Sequence, residues 1–174
     1  MPRLFIFGLG YTAARLAKVM TAGGWEVIST GSAGTLRFDD AGSVRMALAD
    51  ADQVLSSVPP GADGDPVLLT YGDALAGKGL TYLSSTGVYG DTGGAWVDES
   101  APIGTGRRTA RADADNAWLQ LGARVLRLPG IYGPGRSAID RLRAGPVARI
   151  TRNAPEKSCA PMAMERTQSP MLAQ

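Results

Sequence analysis

The stretch Leu4-Phe5-Ile6-Phe7-Gly8-Leu9-Gly10-Tyr11-Thr12-Ala13 decides the fold. An apolar run of strand length, Leu4–Phe7, meets a Gly-x-Gly-x-x-Ala turn, Gly8–Ala13. A helical pattern follows, with Leu16, Ala17 and Met20 at helical spacing and Gly23-Gly24 as its stop. This is the form of the first strand, turn and helix of a dinucleotide-binding α/β domain. Gly8 permits the tight turn, Gly10 lets a pyrophosphate approach the backbone, and Ala13 is small enough for the helix to pack close on the strand. Leu9, Tyr11 and Thr12 complete a loop at a helix N-terminus, whose N–H groups and dipole favour phosphate. A plain structural turn is the competing reading of the same glycines.

Working outward, the chain alternates strands and helices. The patterns predict strands at 3–7, 26–30, 53–57, 81–85 and 124–128, and helices at 12–22, 43–48, 66–76, 108–121 and 137–144. Asp65-Pro66 is a capping carboxylate followed by proline at the first helical position, and Ser43 is the expected cap of the helix before it. Only Gly31–Gly34 separates the second strand from a short candidate strand, Leu36–Phe38, whereas a parallel crossover needs about a dozen residues or more. The expectation is a Rossmann-type, doubly wound, mostly parallel sheet that lacks the second crossover helix. Leu36–Phe38 is then an antiparallel or marginal edge strand, or part of an irregular short return.

A chain of 174 residues, 44% apolar and 20% charged, fits one soluble domain with a real core. No apolar stretch approaches the ~20 residues of a membrane helix. A single cysteine, Cys159, forms no internal disulfide and points to the cytoplasm. The absence of histidine excludes Ser-His-Asp and Cys-His catalysis, and no metal site is expected. Residues 1–145 carry 14 basic and 14 acidic side chains, so the main body is neutral and gives no support for nucleic-acid binding. Residues 146–174 contain no aromatic residue and no period of 2 or 3.6. They are expected to form an unstructured or poorly packed extension to the domain at 1–145.

Two further blocks stand at strand ends, where open parallel sheets bind ligands. Tyr82–Gly90 contains three adjacent hydroxyls, Ser84, Ser85 and Thr86, able to bond a substrate oxygen or to satisfy loop backbone. Leu126–Gly135 turns at Pro129-Gly130, where a flat apolar surface could face a nicotinamide ring.

With these blocks in hand, residues 2–145 resemble the extended short-chain dehydrogenase/reductases, the NAD-dependent epimerase/dehydratase family. The resemblance rests on Gly8–Ala13, on Ser84–Gly90 with Asp98-Glu99-Ser100-Ala101-Pro102 following, and on Leu126–Gly135. It implies a nicotinamide dinucleotide across the strand ends and a Ser or Thr on the substrate oxygen, which by position is Ser85. It also implies a Tyr-x-x-x-Lys pair on the next helix, the tyrosinate acting as acid and base. Here the chain departs from the family: aligned on Asp115, the lysine position is Arg111 and the tyrosine position Arg107. Arg111 could still hold a ribose hydroxyl or stabilise negative charge, while Arg107 cannot donate a proton. Tyr89 is the nearest tyrosine, though structural in the family. The competing reading of Arg107, Arg108 and Arg111 is a solvated helix face paired at i, i+4 with Asp115.

The end of the second strand, Ser29-Thr30-Gly31-Ser32, carries neither the acid usual for NAD nor an arginine for a 2′-phosphate. Lack of a repelling carboxylate favours NADP. Thr30 and Ser32 border the ribose in this reading, Asp39 meets the adenine, and Ser57-Val58-Pro59 border the adenosine or pyrophosphate. Family members continue for about a hundred residues beyond this point, with the last strands and most of the substrate pocket. The expectation is therefore a chain without the C-terminal substrate domain, whose final 29 residues are out of frame, with marginal solubility or a homodimer through the uncovered sheet. Two readings compete: an NAD(P)-dependent oxidoreductase or epimerase on a sugar or other small hydroxylated substrate, and a non-catalytic dinucleotide-binding module. A pure interaction domain is a third, which the glycine turn disfavours.

Overall fold

The computed structural model describes residues 1–104 and 109–143. They fall in two compact units, Met1–Tyr132 and a segment that begins at Gly133. The expected boundary at 145 and the extension 146–174 lie outside the described residues.

The first unit is built on a five-stranded sheet of β1 (Arg3–Phe7), β2 (Glu26–Ser29), β3 (Gln53–Ser56), β4 (Gly79–Ser85) and β5 (Arg124–Leu128). Its order is β2-β1-β3-β4-β5, and every strand pair is parallel. The connecting helices are α1 (Tyr11–Ala22), α2 (Ala41–Ala49), α3 (Pro66–Tyr71) and α4 (Thr109–Gln120). Because β1 is flanked by β2 on one side and β3 on the other, the winding reverses there. This is the topological switch point at which doubly wound sheets bind ligands.

Strand β1 is apolar and buried from Leu4 to Phe7 because both of its faces are covered there. Phe5 and Phe7 face α2, α3 and α4, in a core with Val44, Leu48, Val54, Tyr71, Tyr82 and Trp118. Leu4 and Ile6 face α1, with Ala13 and Leu55. On the α1 side of the sheet an apolar groove of about 510 Å³ runs beside that helix, over Leu55, Leu83, Leu126 and Leu128, and Leu126 is 48% exposed.

The local signals that the sequence carries mostly hold. Asp65 caps α3, accepting from the Val67 amide at 2.8 Å and the Leu68 amide at 3.2 Å. The helix expected to reach Ala76 instead tightens into a 3₁₀ turn over Gly72–Leu75. Asp40, not Ser43, caps α2: its carboxylate accepts the Ser43 amide at 3.2 Å. The Leu36–Phe38 segment is no strand. It forms one parallel bridge, Thr30 to Leu36, so the short return is the arrangement adopted and the antiparallel alternative falls. The Leu36 amide donates to the Ser29 carbonyl at 3.0 Å. The Phe38 ring meets Phe7 and Tyr71 edge-on, and the Tyr71 hydroxyl donates to the Phe38 carbonyl.

In the second unit, α5 (Ala138–Arg143) begins one residue later than expected, and the expected end at Ala144 lies outside the described residues. Ser137 and Asp140 form a reciprocal cap at its start.

Candidate dinucleotide and substrate site

The glycine turn is locked between its two neighbours. Gly8 has φ +80°, and a Cβ there would stand 3.0 Å from Val58 Cγ2 and 3.1 Å from Ser57 Oγ. Glycine is therefore required for both conformation and space. The Ser57 hydroxyl donates to the Gly8 carbonyl. On the other side, the Gly8 amide donates to Thr30 Oγ1 at 3.2 Å and the Leu9 amide to the Thr30 carbonyl at 3.0 Å. Gly8, Leu9, Thr30, Ser57 and Val58, expected from sequence to share a site, are thus in direct contact.

Gly10 behaves differently. Its φ of −77° suits any residue, and a Cβ built on it would meet nothing within 4 Å. It sits at the N-cap of α1, where it offers no side chain to the first-turn amides. Ala13 is buried against Leu4, Ile6 and Leu55, as a helix packed close on the sheet requires. Thr12 is half-buried, and the Arg15 guanidinium lies 3.4 Å above the centre of the Tyr11 ring. Ser32 and Pro59 are exposed on the loops after β2 and β3, and Asp39 is bound to Arg37.

At the end of β4 the three hydroxyls part company. Ser84 is buried, and its Oγ has no hydrogen-bond partner among the described residues. Ser85 is half-buried, and its Oγ accepts the Gly87 amide at 3.2 Å. Thr86 is exposed and lines a cavity of about 510 Å³ with Tyr89, Asp98, Glu99, Arg127 and Leu128, a volume in the range of small-ligand pockets. Pro129 and Gly130, after β5, are exposed.

Helix α4 turns Arg111, Asp115 and Trp118 toward the sheet. Arg111 Nη1 donates to the Tyr82 hydroxyl at 3.2 Å, and the Tyr82 ring stacks on Trp118 with centroids 5.3 Å apart. Burial raises the Tyr82 pKa, with Arg111 opposing it. The reading of Arg111 as part of a solvated face paired with Asp115 is therefore corrected. Asp115, fully buried, instead takes Arg127 of β5, through Nη2 at 2.9 Å and Nε at 3.2 Å. Arg127 Nη1 also donates to the Tyr89 hydroxyl at 3.0 Å and to the Glu99 carbonyl at 3.1 Å. Arg127 is the residue that sequence reasoning missed. The available signal was a charged residue between two leucines, Leu126 and Leu128, inside a predicted strand. Ser85 and Arg111, expected together, have different partners. Arg107 and Arg108 lie outside the described residues.

No family model matches the chain. Protein YeeZ of Escherichia coli (strain K12) is 30% identical over 170 residues, covering 78% of this chain and 61% of that protein. Among solved structures, a functionally unknown conserved protein of Silicibacter pomeroyi DSS superposes with TM-score 0.70 at 34% identity, over 84% of this chain and 59% of its own. A Methylobacillus flagellatus protein, provisionally named an NAD-dependent epimerase/dehydratase, gives 0.64 at 25% identity, over 78% and 56%. The dTDP-glucose 4,6-dehydratase of Bacillus anthracis, in complex with NAD, gives 0.65 at 15% identity, over 83% and 61%, a likeness of fold alone. The chain thus spans about three-fifths of the length of these proteins. The reversed winding at β1, the glycine turn locked between Thr30 and Ser57, and these likenesses together give the chain a Rossmann-like α/β fold shared with NAD-dependent epimerases and dehydratases.

Proposed function

We propose that the chain binds a nicotinamide dinucleotide across the strand ends at the switch point, with NADP preferred to NAD. Gly10 carries this reading. Neither its φ nor its packing calls for glycine, so what the missing side chain leaves is space at a helix N-terminus for a pyrophosphate. The first-turn amides and the Gly8–Ala13 backbone would hold the phosphates. Thr30, Ser32, Ser57, Val58 and Pro59 would border the adenosine. The partnerless hydroxyl of Ser84, with Pro129 and Gly130, would border the nicotinamide end. The lack of an acid at Ser29–Ser32 supports NADP.

When bound, the nicotinamide supplies hydride exchange with a substrate carbon. The chain's own residues bind and orient a sugar or other small hydroxylated substrate. Ser85 holds its reacting oxygen, Arg111 stabilises negative charge on it, and the Tyr89 hydroxyl offers a phenolic proton.

A second reading, a dinucleotide-binding module without turnover, is favoured by the engagement of Arg111 with Tyr82 and of Tyr89 with Arg127. The exposed apolar face over Leu83, Leu126 and Leu128 supports a homodimer as the soluble form.

The test of binding is Gly10→Val, titrated with NADPH and NADH by fluorescence and calorimetry. The variant is expected to keep the far-ultraviolet circular dichroism of the parent and to lose binding. If the parent binds neither dinucleotide at millimolar concentration, or the variant binds as well as the parent, the reading fails.

A further inference from the structure

We propose that Arg37 selects the phosphorylated dinucleotide, its guanidinium holding the adenosine 2′-phosphate in place of Asp39. This rests on the dinucleotide reading above and adds to it the residue that sets cofactor choice.

The argument begins at the short return. The end of β2 touches the glycine turn directly, through the two hydrogen bonds that Thr30 accepts from Gly8 and Leu9. The next residue is pressed against the same turn: a Cβ on Gly31 would stand 3.0 Å from the Leu9 nitrogen. The bridge from Thr30 to Leu36 then brings the chain back beside the end of β2. Thr35 Oγ1 fastens the return, donating to the Ser29 carbonyl at 3.2 Å and lying 3.1 Å from the Ser29 amide, whose hydrogen bond it accepts. Leu36 and Phe38 pack on the core, and Arg37 between them is left at the rim, its side chain 82% exposed. The five-residue connection Gly31–Thr35 thus carries an arginine to the edge of the site that lacks an acid.

Arg37 now holds a carboxylate in a two-pronged bond, Nε to Asp39 Oδ1 at 3.0 Å and Nη2 to Oδ2 at 2.7 Å. That is also the geometry in which guanidinium holds a phosphate. Both partners are largely exposed, and exposed pairs contribute little to stability, so a phosphate dianion can displace the carboxylate at small cost. In this arrangement Asp39 is an internal competitor for the 2′-phosphate, not an adenine ligand.

Dissociation constants for NADPH and NADH, measured by calorimetry at one fixed ionic strength, test this on the parent, Arg37→Ala and Asp39→Asn. The parent is expected to favour NADPH by about tenfold or more. Arg37→Ala should remove that preference by weakening NADPH alone. Asp39→Asn should tighten NADPH by a few-fold and leave NADH unchanged, since it frees the guanidinium. Equal affinities in the parent, equal weakening of both dinucleotides by Arg37→Ala, or weakening of both by Asp39→Asn would each overturn the proposal. NADH binding without preference would leave the dinucleotide reading standing and remove only this one. Binding of neither would remove both.

Discussion

Replacing Arg127 by Met cuts the connection that joins β5 to α4 and to the turn and loop after β4. Four elements meet at this guanidinium: β5, which carries it, α4 through Asp115, the turn after β4 through Tyr89, and the following loop through the Glu99 carbonyl. The Arg127 side chain is 12% exposed and that of Asp115 is 0% exposed. The hydrogen bonds that Arg127 donates to Asp115 and Tyr89 raise the arginine pKa further, so its charge persists at every accessible pH. Arg127→Met therefore strands a carboxylate in the interior. Breaking one partner of a buried pair costs about 3–5 kcal/mol, a large part of the roughly 5–15 kcal/mol that holds a domain folded. Removing both charges is a different perturbation, because an apolar pair of similar volume needs no desolvation. Arg127→Met with Asp115→Leu should lose only about 1–2 kcal/mol, mainly from the partners left at Tyr89 and Glu99. Urea unfolding followed by tryptophan fluorescence gives the stabilities of the parent, Arg127→Met, Asp115→Leu and the double variant, with Trp118, fully buried beside Tyr82, as reporter. The coupling in the cycle should then be at least about 2 kcal/mol. A single variant costing less than about 1 kcal/mol, or a double variant equal to the sum of the singles, would refute this account of the pair.

Asp65→Ala should cost about 2–4 kcal/mol in urea unfolding, because it removes the α3 cap and strands the Trp118 indole N–H, which donates to Asp65 at 2.9 Å. A shift of tryptophan emission should accompany it; unchanged stability would show that solvent replaces the cap. Stability should be flat across neutral pH, since the chain has no histidine. On the acid side, hydrogen bonds from Ser43, Arg45 and Ser100 hold Asp40, Asp73 and Asp98 below the ordinary carboxylate value. Their stabilisation is complete above the unfolded value of about 4 and is lost as pH falls through the lowered folded-state values. On the alkaline side, burial raises Tyr71 and Tyr82, so their contribution is complete below about 10 and is lost as pH rises through the raised values. Urea midpoints measured from pH 3 to 11 check both limbs, and a midpoint that varies between about pH 6 and 8 would contradict the assignment.

How much of this was legible without coordinates depended on how local each signal was. The limits of β1 and β5, the turn at Gly8–Ala13 and the start of α3 at Asp65-Pro66 match the sequence reading, since each is written in consecutive residues. The alternation of strand and helix lengths also carries the winding, and with it the meeting of Gly8, Thr30 and Ser57 at the switch point. Short-range capping was less legible: Ser43 and Asp40 both suit an N-cap, and the backbone path after Phe38 chose between them.

The direction of α4 was not legible at all. Its buried residues are Ala112, Ala114, Asp115 and Trp118, two alanines, an acid and one large apolar ring, so its sequence shows almost no apolar stripe and reads as a solvated helix. What fixes the rotation of that helix is the stack of Trp118 on Tyr82 and the bond from Trp118 to Asp65, between positions 36 and 53 apart in the chain. That rotation sends Arg111 to Tyr82 and Asp115 to Arg127. The sequence by itself determined the sheet, its switch point and the glycine cradle, because those follow from hydrophobic period and turn chemistry. Only the tertiary structure decided which charges meet between α4 and the sheet, because a side chain's partner there depends on the phase of a helix against a strand, and packing sets that phase.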